Sequence, residues 1–293
     1  MNSPICWVGG KKLLREIIVD RFPAGYEKNT YAELFAGGAW VFFHKNRSQL
    51  EVINDFNHNL VNLYRCIRDQ PEELIDALTP ALNAREEFER IRLLLKNPVG
   101  LSDIERASYY YQQIKFSYAA RLKSYGGRSC SLWSRFPEMK LAGQRLNGVV
   151  VENLDFEELI HRYDSPNTLF YADPPYVETE TYYDNANFGQ KDHERLANAA
   201  RALQGKILIS YNACPVVYQL YATSQFMIEE MERLSNMAQR YEAGKMYVEY
   251  LISNYDTTEK LKQSNQISLF DNGKQGYEEI MKERKIVWNP FQR

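Results

Sequence analysis

The chain has 293 residues, 44% hydrophobic and 25% charged, which is a globular composition long enough for two domains or for one large α/β domain with an insertion. No apolar run reaches the roughly 18 residues of a membrane span, and Met1-Asn-Ser-Pro-Ile-Cys-Trp7 lacks the basic-then-apolar order of a signal peptide. Cys6, Cys66, Cys130 and Cys214 form no Cys-x-x-Cys pair, and His44, His58, His161 and His193 are scattered. Neither a disulfide framework nor a metal site is therefore expected, and the cysteine usage suits a reducing cytoplasm.

In chain order, strand-like runs are predicted at Tyr31–Phe35, Glu51–Ile53, Val149–Glu152, Thr168–Ala172 and Lys206–Ser210. Several are apolar on both faces, as a parallel sheet between helices requires. Helical patterns such as Glu157–Tyr163 and His193–Leu203 alternate with them, which argues for a doubly wound α/β fold. Phe226–Glu232 and Tyr247–Tyr255 flank a polar, glycine-containing segment and read as an antiparallel pair.

Between the second and third strands this rhythm breaks. Leu60–Ile67, Pro71–Leu78, Ala84–Leu95 and Ile104–Phe116 all look helical, and a glycine-containing loop, Leu122–Arg135, follows. The same region is basic. From Arg106 to Arg145 the only acid is Glu138 and the net charge is +7, whereas the whole chain carries −2. Such a stretch suits a polyanion, although a solvated basic face fits equally.

Three groups fall at the carboxyl ends of strands, where open α/β sheets bind ligands. Glu33-Leu-Phe-Ala-Gly37-Gly38 is a turn whose glycines allow close backbone approach, or is a plain strand-to-helix turn. Asp55 lies about 20 residues after the glycines, where an acid can bind ribose hydroxyls; a helix N-cap is the competing role. Asp173-Pro174-Pro175-Tyr176 is the most specific of the three. Two prolines fix φ and lack N–H donors, so the turn presents carbonyls and one carboxylate as acceptors beside an aromatic ring. That arrangement suits a planar group bearing an amino donor.

At these residues the chain resembles a family. Trp7-Val-Gly-Gly-Lys11, Glu33-Leu-Phe-Ala-Gly-Gly38, Asn54-Asp55-Phe-Asn57, Asp173-Pro-Pro-Tyr176 and Leu251-Ile-Ser-Asn-Tyr255 follow the order of the Dam-like DNA adenine methylases, over about residues 5–256. The resemblance implies an S-adenosylmethionine-dependent, site-specific adenine methyltransferase, solitary or paired with a restriction endonuclease. It also implies a Rossmann-like catalytic domain of residues 1–59 and 146–256, with a mostly parallel sheet ending in an antiparallel strand pair. Residues 60–145 would be an inserted helical target-recognition domain and residues 257–293 a tail. Trp7, Lys11, Asp55 and Asp173 should then line the cofactor site. Phe35 and Gly37 should approach the methionine portion, Asp55 the ribose, and Asp155 and Phe156 the cofactor's adenine.

The chemistry implied is direct. Asp173 and the Pro174 carbonyl accept the two hydrogens of the target amine, and Tyr176 stacks on a base flipped out of the duplex. No metal is required. Arg121, Lys123, Arg128 and Arg135, with Tyr125 and Trp133 interleaved, are the expected contacts to double-stranded DNA. Two departures stand out: bulky Trp40 follows the glycine turn, and Ser131-Leu-Trp-Ser134 stands where GATC-specific members carry a Phe-Asn-x-Pro stretch.

The rival readings are RNA adenine methylation, glutamine methylation, which goes with Asn-Pro-Pro-Tyr, and a non-catalytic nucleic-acid-binding module. A Rossmann dehydrogenase is weaker because the full glycine pattern is missing. In the tail, Gln266-Ile-Ser-Leu-Phe270 resembles the short peptide by which bacterial DNA enzymes dock on the replication sliding clamp.

Overall fold

The computed structural model describes residues 1–177, 188–234, 246–260 and 281–287. Its centre is an eight-stranded sheet in the order β3-β2-β1-β4-β5-β7-β6-β8. Strands β1 (Thr30–Glu33), β2 (Leu50–Asn54), β3 (Val150–Glu152), β4 (Thr168–Ala172) and β5 (Lys206–Asn212) are parallel. β6 (Met227–Leu234) and β7 (Met246–Ser253) are antiparallel to each other, and β7 runs against β5. All seven expected strands are present, with ends moved by up to two residues. The addition is β8 (Ile286–Val287), which pairs with β6 at the outer edge. Two residues are too few to show a hydrophobic period. The edge is fastened by Glu229 of β6, whose carboxylate accepts from both Arg21 and Arg284.

Apolar side chains on the sheet alternate between two cores, one on each face. Tyr31, Ile53 and Leu208 pack with α1 (Arg15–Asp20), α2 (Trp40–His44) and the helices between β2 and β3. Ala32, Val52, Phe170 and Ile209 pack with α8 (Phe156–Tyr163), α9 (Gln190–Ala202) and α10 (Pro215–Tyr221). Coverage on both faces explains why β4, at the centre, is buried at every position and is apolar after Thr168.

Between β2 and β3 the chain forms α3 (His58–Asp69), α4 (Pro71–Leu78), α5 (Arg85–Leu94), α6 (Asp103–Phe116) and α7 (Phe136–Leu146). Their starts follow local chemistry. Asn57 caps α3, Pro71 opens α4, and Ser102 with Glu105 forms a capping box on α6. No helix is expected from sequence at α7, where Gly143 weakens the interior of the pattern. Gly143 has a structural reason: a Cβ there would lie 2.5 Å from the Ile67 carbonyl, so the close approach of α7 to α3 needs glycine. Arg145, at the end of α7, returns the chain to the sheet through Glu51 of β2 (2.6 Å) and stacks 4.0 Å from the Phe42 ring.

Strand order runs outward from β1 to β2 and β3 on one side and from β4 to β5 on the other. The reversal lies between β1 and β4, and a crevice opens at their carboxyl ends.

Candidate active site

A cleft of about 1140 Å³ occupies that crevice. Trp7, Lys11, Phe35, Gly37, Asp55, Asp155, Phe156 and Asp173 all line it, together with Arg121 from the loop after α6. Pro174 is buried and Tyr176 half-buried, immediately beside the lining residues Asp173 and Pro175.

The glycine turn after β1 is held by its own polar groups. Gly37 has φ +47°, its amide donates to Asp55 (2.9 Å), and its carbonyl accepts from the Tyr64 hydroxyl (2.7 Å). A Cβ at Gly37 would stand 2.8 Å from the Trp7 indole, and one at Gly10 would stand 2.8 Å from Trp40. The two indoles thus occupy space left by glycines, which explains how bulky Trp40 is accommodated after the turn. Asp55 is not the helix cap, since Asn57 is; Asp55 instead accepts from the Gly37 and Asn57 amides. Burial pushes the Asp55 carboxyl up, and those two amides pull it back.

Asn54, for which the sequence alone suggests no role, ties three strand ends together. It donates to the carbonyls of Leu34 (2.9 Å) and Leu154 (3.1 Å) and accepts from the Leu154 amide (2.8 Å). Beyond β3, Asp155 caps α8 and pairs with Arg195 at 2.8 Å. Phe156 packs with Phe35 and Phe188, with ring centroids 5.6 and 5.9 Å away, and the three form an aromatic wall.

At the end of β4, Asp173 accepts from the Lys11 ammonium (2.5 Å) and the Ser210 hydroxyl (3.1 Å) through the same oxygen. Lys11 is 4% exposed, donates also to the Gly9 carbonyl, lies 4.0 Å from Glu249 and sits 4.7 Å from the centre of the Tyr176 ring. Burial raises the Asp173 carboxyl; Lys11 opposes that rise and Glu249 adds to it. Glu33, also unassigned from sequence, lines the cleft while 2% exposed. Burial pushes its carboxyl up to about 8, against a bond from the Tyr31 hydroxyl.

The basic residues divide into two groups. Arg145 is spent on Glu51, Arg106 on Asn59 (2.6 Å) and Lys140 on Glu72 (2.6 Å). Lys123 and Arg128 are exposed, with the Arg128 guanidinium 5.7 Å from the Tyr118 ring; Arg135 is exposed but pairs with Glu138 (3.1 Å). The segment carrying Arg121 is strained, since Ala119, Ala120 and Leu122 have φ of 53°, 55° and 64°. Non-glycine residues held in this region cluster at functional sites. Among the described residues no group of three or more His, Cys, Asp or Glu could hold a metal ion, and no helix is long and apolar enough to cross a membrane.

The sheet order, the glycine turn and the acceptor-rich turn after β4 define a Rossmann-like transferase of the methyltransferase class. Residues 7–237 match the family model of the D12 class N6 adenine-specific DNA methyltransferases, and the chain belongs to that family. It is 29% identical over 276 residues to the type II methyltransferase M1.LlaDCHI of Lactococcus lactis subsp. cremoris, covering 85% of this chain and 94% of that protein. It is 25% identical over 229 residues to M.CviBI of Paramecium bursaria Chlorella virus NC1A, a type II methyltransferase, covering 75% and 86%. With the DNA adenine methylase of Haemophilus influenzae it shares 26% over 260 residues, covering 78% and 85%.

Proposed function

We propose that this chain methylates the exocyclic amine of an adenine flipped out of double-stranded DNA, with S-adenosylmethionine as donor. When bound, the donor supplies an electrophilic methyl group on a sulfonium. The residues around the cleft suit it: a glycine turn free of side chains, acidic Glu33, Asp55 and Asp155 for its polar groups, and Phe35 and Phe156 as apolar walls.

The observation that carries the reading is the environment of Asp173. Lys11 and Ser210 both bond one carboxylate oxygen, which orients the group at the mouth of a strand. The other oxygen and the Pro174 carbonyl are then the acceptors for the two amine hydrogens. Drawing on both hydrogens moves the nitrogen towards tetrahedral geometry and localises its lone pair for attack. The N–C bond forms as the S–C bond breaks, and one proton leaves the nitrogen for solvent. Tyr176 stacks on the base. Arg121, Lys123, Arg128 and Arg135 contact the DNA, within a recognition unit of residues 60–145 that is inserted in a catalytic unit of residues 1–59 and 146–256. The names of M1.LlaDCHI and M.CviBI favour a modification enzyme of a restriction-modification pair.

Gln266–Phe270 lies outside the described residues; on either side of it, Lys260 donates to the Val19 carbonyl and Arg284 pairs with Glu229. Clamp docking by this peptide, within the tail of residues 257–293, is a proposal that rests on its sequence alone.

Turnover of Asp173→Ala tests the amine-binding part, with wild-type turnover contradicting it, and turnover of Tyr176 variants tests the stacking. Tyr176→Phe keeps most activity and Tyr176→Ala loses it, because stacking needs the ring and not the hydroxyl. Equal loss in both variants contradicts the stacking role.

A further inference from the structure

Pro174 and Pro175 carry no N–H, so the turn after β4 cannot be pinned by backbone donors at those positions. β4 stops at Ala172, opposite Ile209, but β5 runs on to Asn212. Three consecutive residues of that extension grip the turn. Ser210, fully buried, donates to Asp173 (3.1 Å). The Tyr211 ring lies 6.1 Å from the Tyr176 ring, tilted by 32°. The Asn212 side chain accepts from the Val177 amide (3.1 Å) and donates to the Val177 carbonyl (3.3 Å). One side-chain amide thereby copies the two-bond pattern of a strand pair where backbone pairing has ended.

β5 is held by neighbouring elements as well. Asn212 pairs in register with Glu249 of β7, and Tyr211 is hydrogen-bonded to buried His193. Tyr176 and the Pro174 carbonyl thus sit on a short segment fixed at Asp173 by Ser210 and at Val177 by Asn212.

We infer that Asn212 is a positioning residue for methyl transfer, acting through the Val177 backbone to hold Pro174 and Tyr176 against the target base. The inference rests on the reading that Asp173 and Tyr176 carry the chemistry. Asn212 is not among the residues that line the donor cleft, and it belongs to a different element from the basic loop. Its loss should therefore affect the chemical step and leave both binding steps unchanged. A misplacement on the order of 1 Å at a reacting centre can cost about a hundredfold in rate.

The test uses the full chain and a duplex bearing its own target, read beforehand from DNA it has methylated. Single-turnover rates, donor dissociation constants and duplex dissociation constants are measured for wild type, Asn212→Ala, Asn212→Ser and Asp173→Ala. The expected result is a rate lowered about tenfold to a hundredfold in Asn212→Ala, a smaller loss in Asn212→Ser, and both dissociation constants within about twofold of wild type. A wild-type rate in the Asn212 variants beside an inactive Asp173→Ala overturns the role of Asn212 alone. Parallel loss of rate and of both affinities also overturns it, since that marks a general structural part. Activity in Asp173→Ala overturns the underlying reading instead.

Discussion

The Lys11 ammonium lies 2.5 Å from the Asp173 carboxylate, although 162 residues separate the two in sequence. Burial alone drives Asp173 towards its neutral form, and a protonated carboxyl is a poorer acceptor for an amine hydrogen; Lys11 counters that drive. Lys11→Met should raise the Asp173 pKa further and move the acid limb of the pH–rate profile to higher pH. Single-turnover rates across the acid range check this. An acid limb unchanged in the variant contradicts the role given to Lys11.

Glu33 predicts a pH effect on stability. Its carboxyl titrates at about 8 in the folded chain against 4.5 ordinarily, so between those values the folded state holds a proton that the unfolded state has lost. Stability from this group is full below 4.5 and declines as pH rises towards about 8. Glu33→Gln removes the titration, and the thermal midpoint should then fall less steeply over that interval. Parallel midpoint curves for the two proteins contradict the shift.

Gly37→Ala meets two obstacles, a left-handed backbone and the Trp7 indole 2.8 Å from the new Cβ. The backbone alone costs roughly 1–2 kcal/mol. Displacing Trp7 also reshapes the cleft, so donor affinity should fall at least about tenfold, equivalent to about 1.4 kcal/mol. Calorimetric titration with S-adenosylmethionine measures it, and wild-type affinity contradicts the placement of the donor against this turn.

The basic residues should separate by partner. Arg128→Ala should weaken binding to any duplex and lower the salt slope by roughly one, as a phosphate contact does. Arg145→Ala should instead destabilise the fold, because it takes from Glu51, which is 3% exposed, the guanidinium that bonds both its oxygens, leaving Lys45 and the more distant Arg47 (4.0 Å) as its cations. Breaking a buried pair in this way typically costs about 3–5 kcal/mol. Denaturant unfolding and salt-dependent binding of both variants check the division. A reversed pattern contradicts it.

What the sequence made legible was local. Thr168–Ala172 is a strand because a β-branched threonine and four apolar residues run unbroken into an acid and two prolines, and Pro71–Leu78 is a helix because proline opens it and leucines recur on one face. Of the cleft-lining residues, Phe35, Asp55, Asp155 and Asp173 sit beside such breaks at strand ends. Tertiary partners were not legible. Ser210 and Asn212 look like the frayed end of an apolar strand until the turn 37 and 35 residues away is folded against them. Glu33 looks like any acid beside a glycine turn, and only the packed sheet around it reveals a buried carboxyl. Gly143 hid α7 because it weakens a helix in isolation and is required only by the Ile67 carbonyl facing it.

The most direct measurement is the identity of the methylated product. Wild-type chain and Asp173→Asn are incubated with S-adenosylmethionine and, in separate reactions, DNA, RNA and protein; the products are then digested and resolved by mass spectrometry. The account predicts N6-methyladenine in DNA from the wild type. Asp173→Asn should still bind the donor but be slower by at least about a hundredfold, the scale of losing one preorganised polar contact in a transition state. Methyl groups found in RNA or protein in place of DNA, or wild-type turnover by Asp173→Asn, would contradict it.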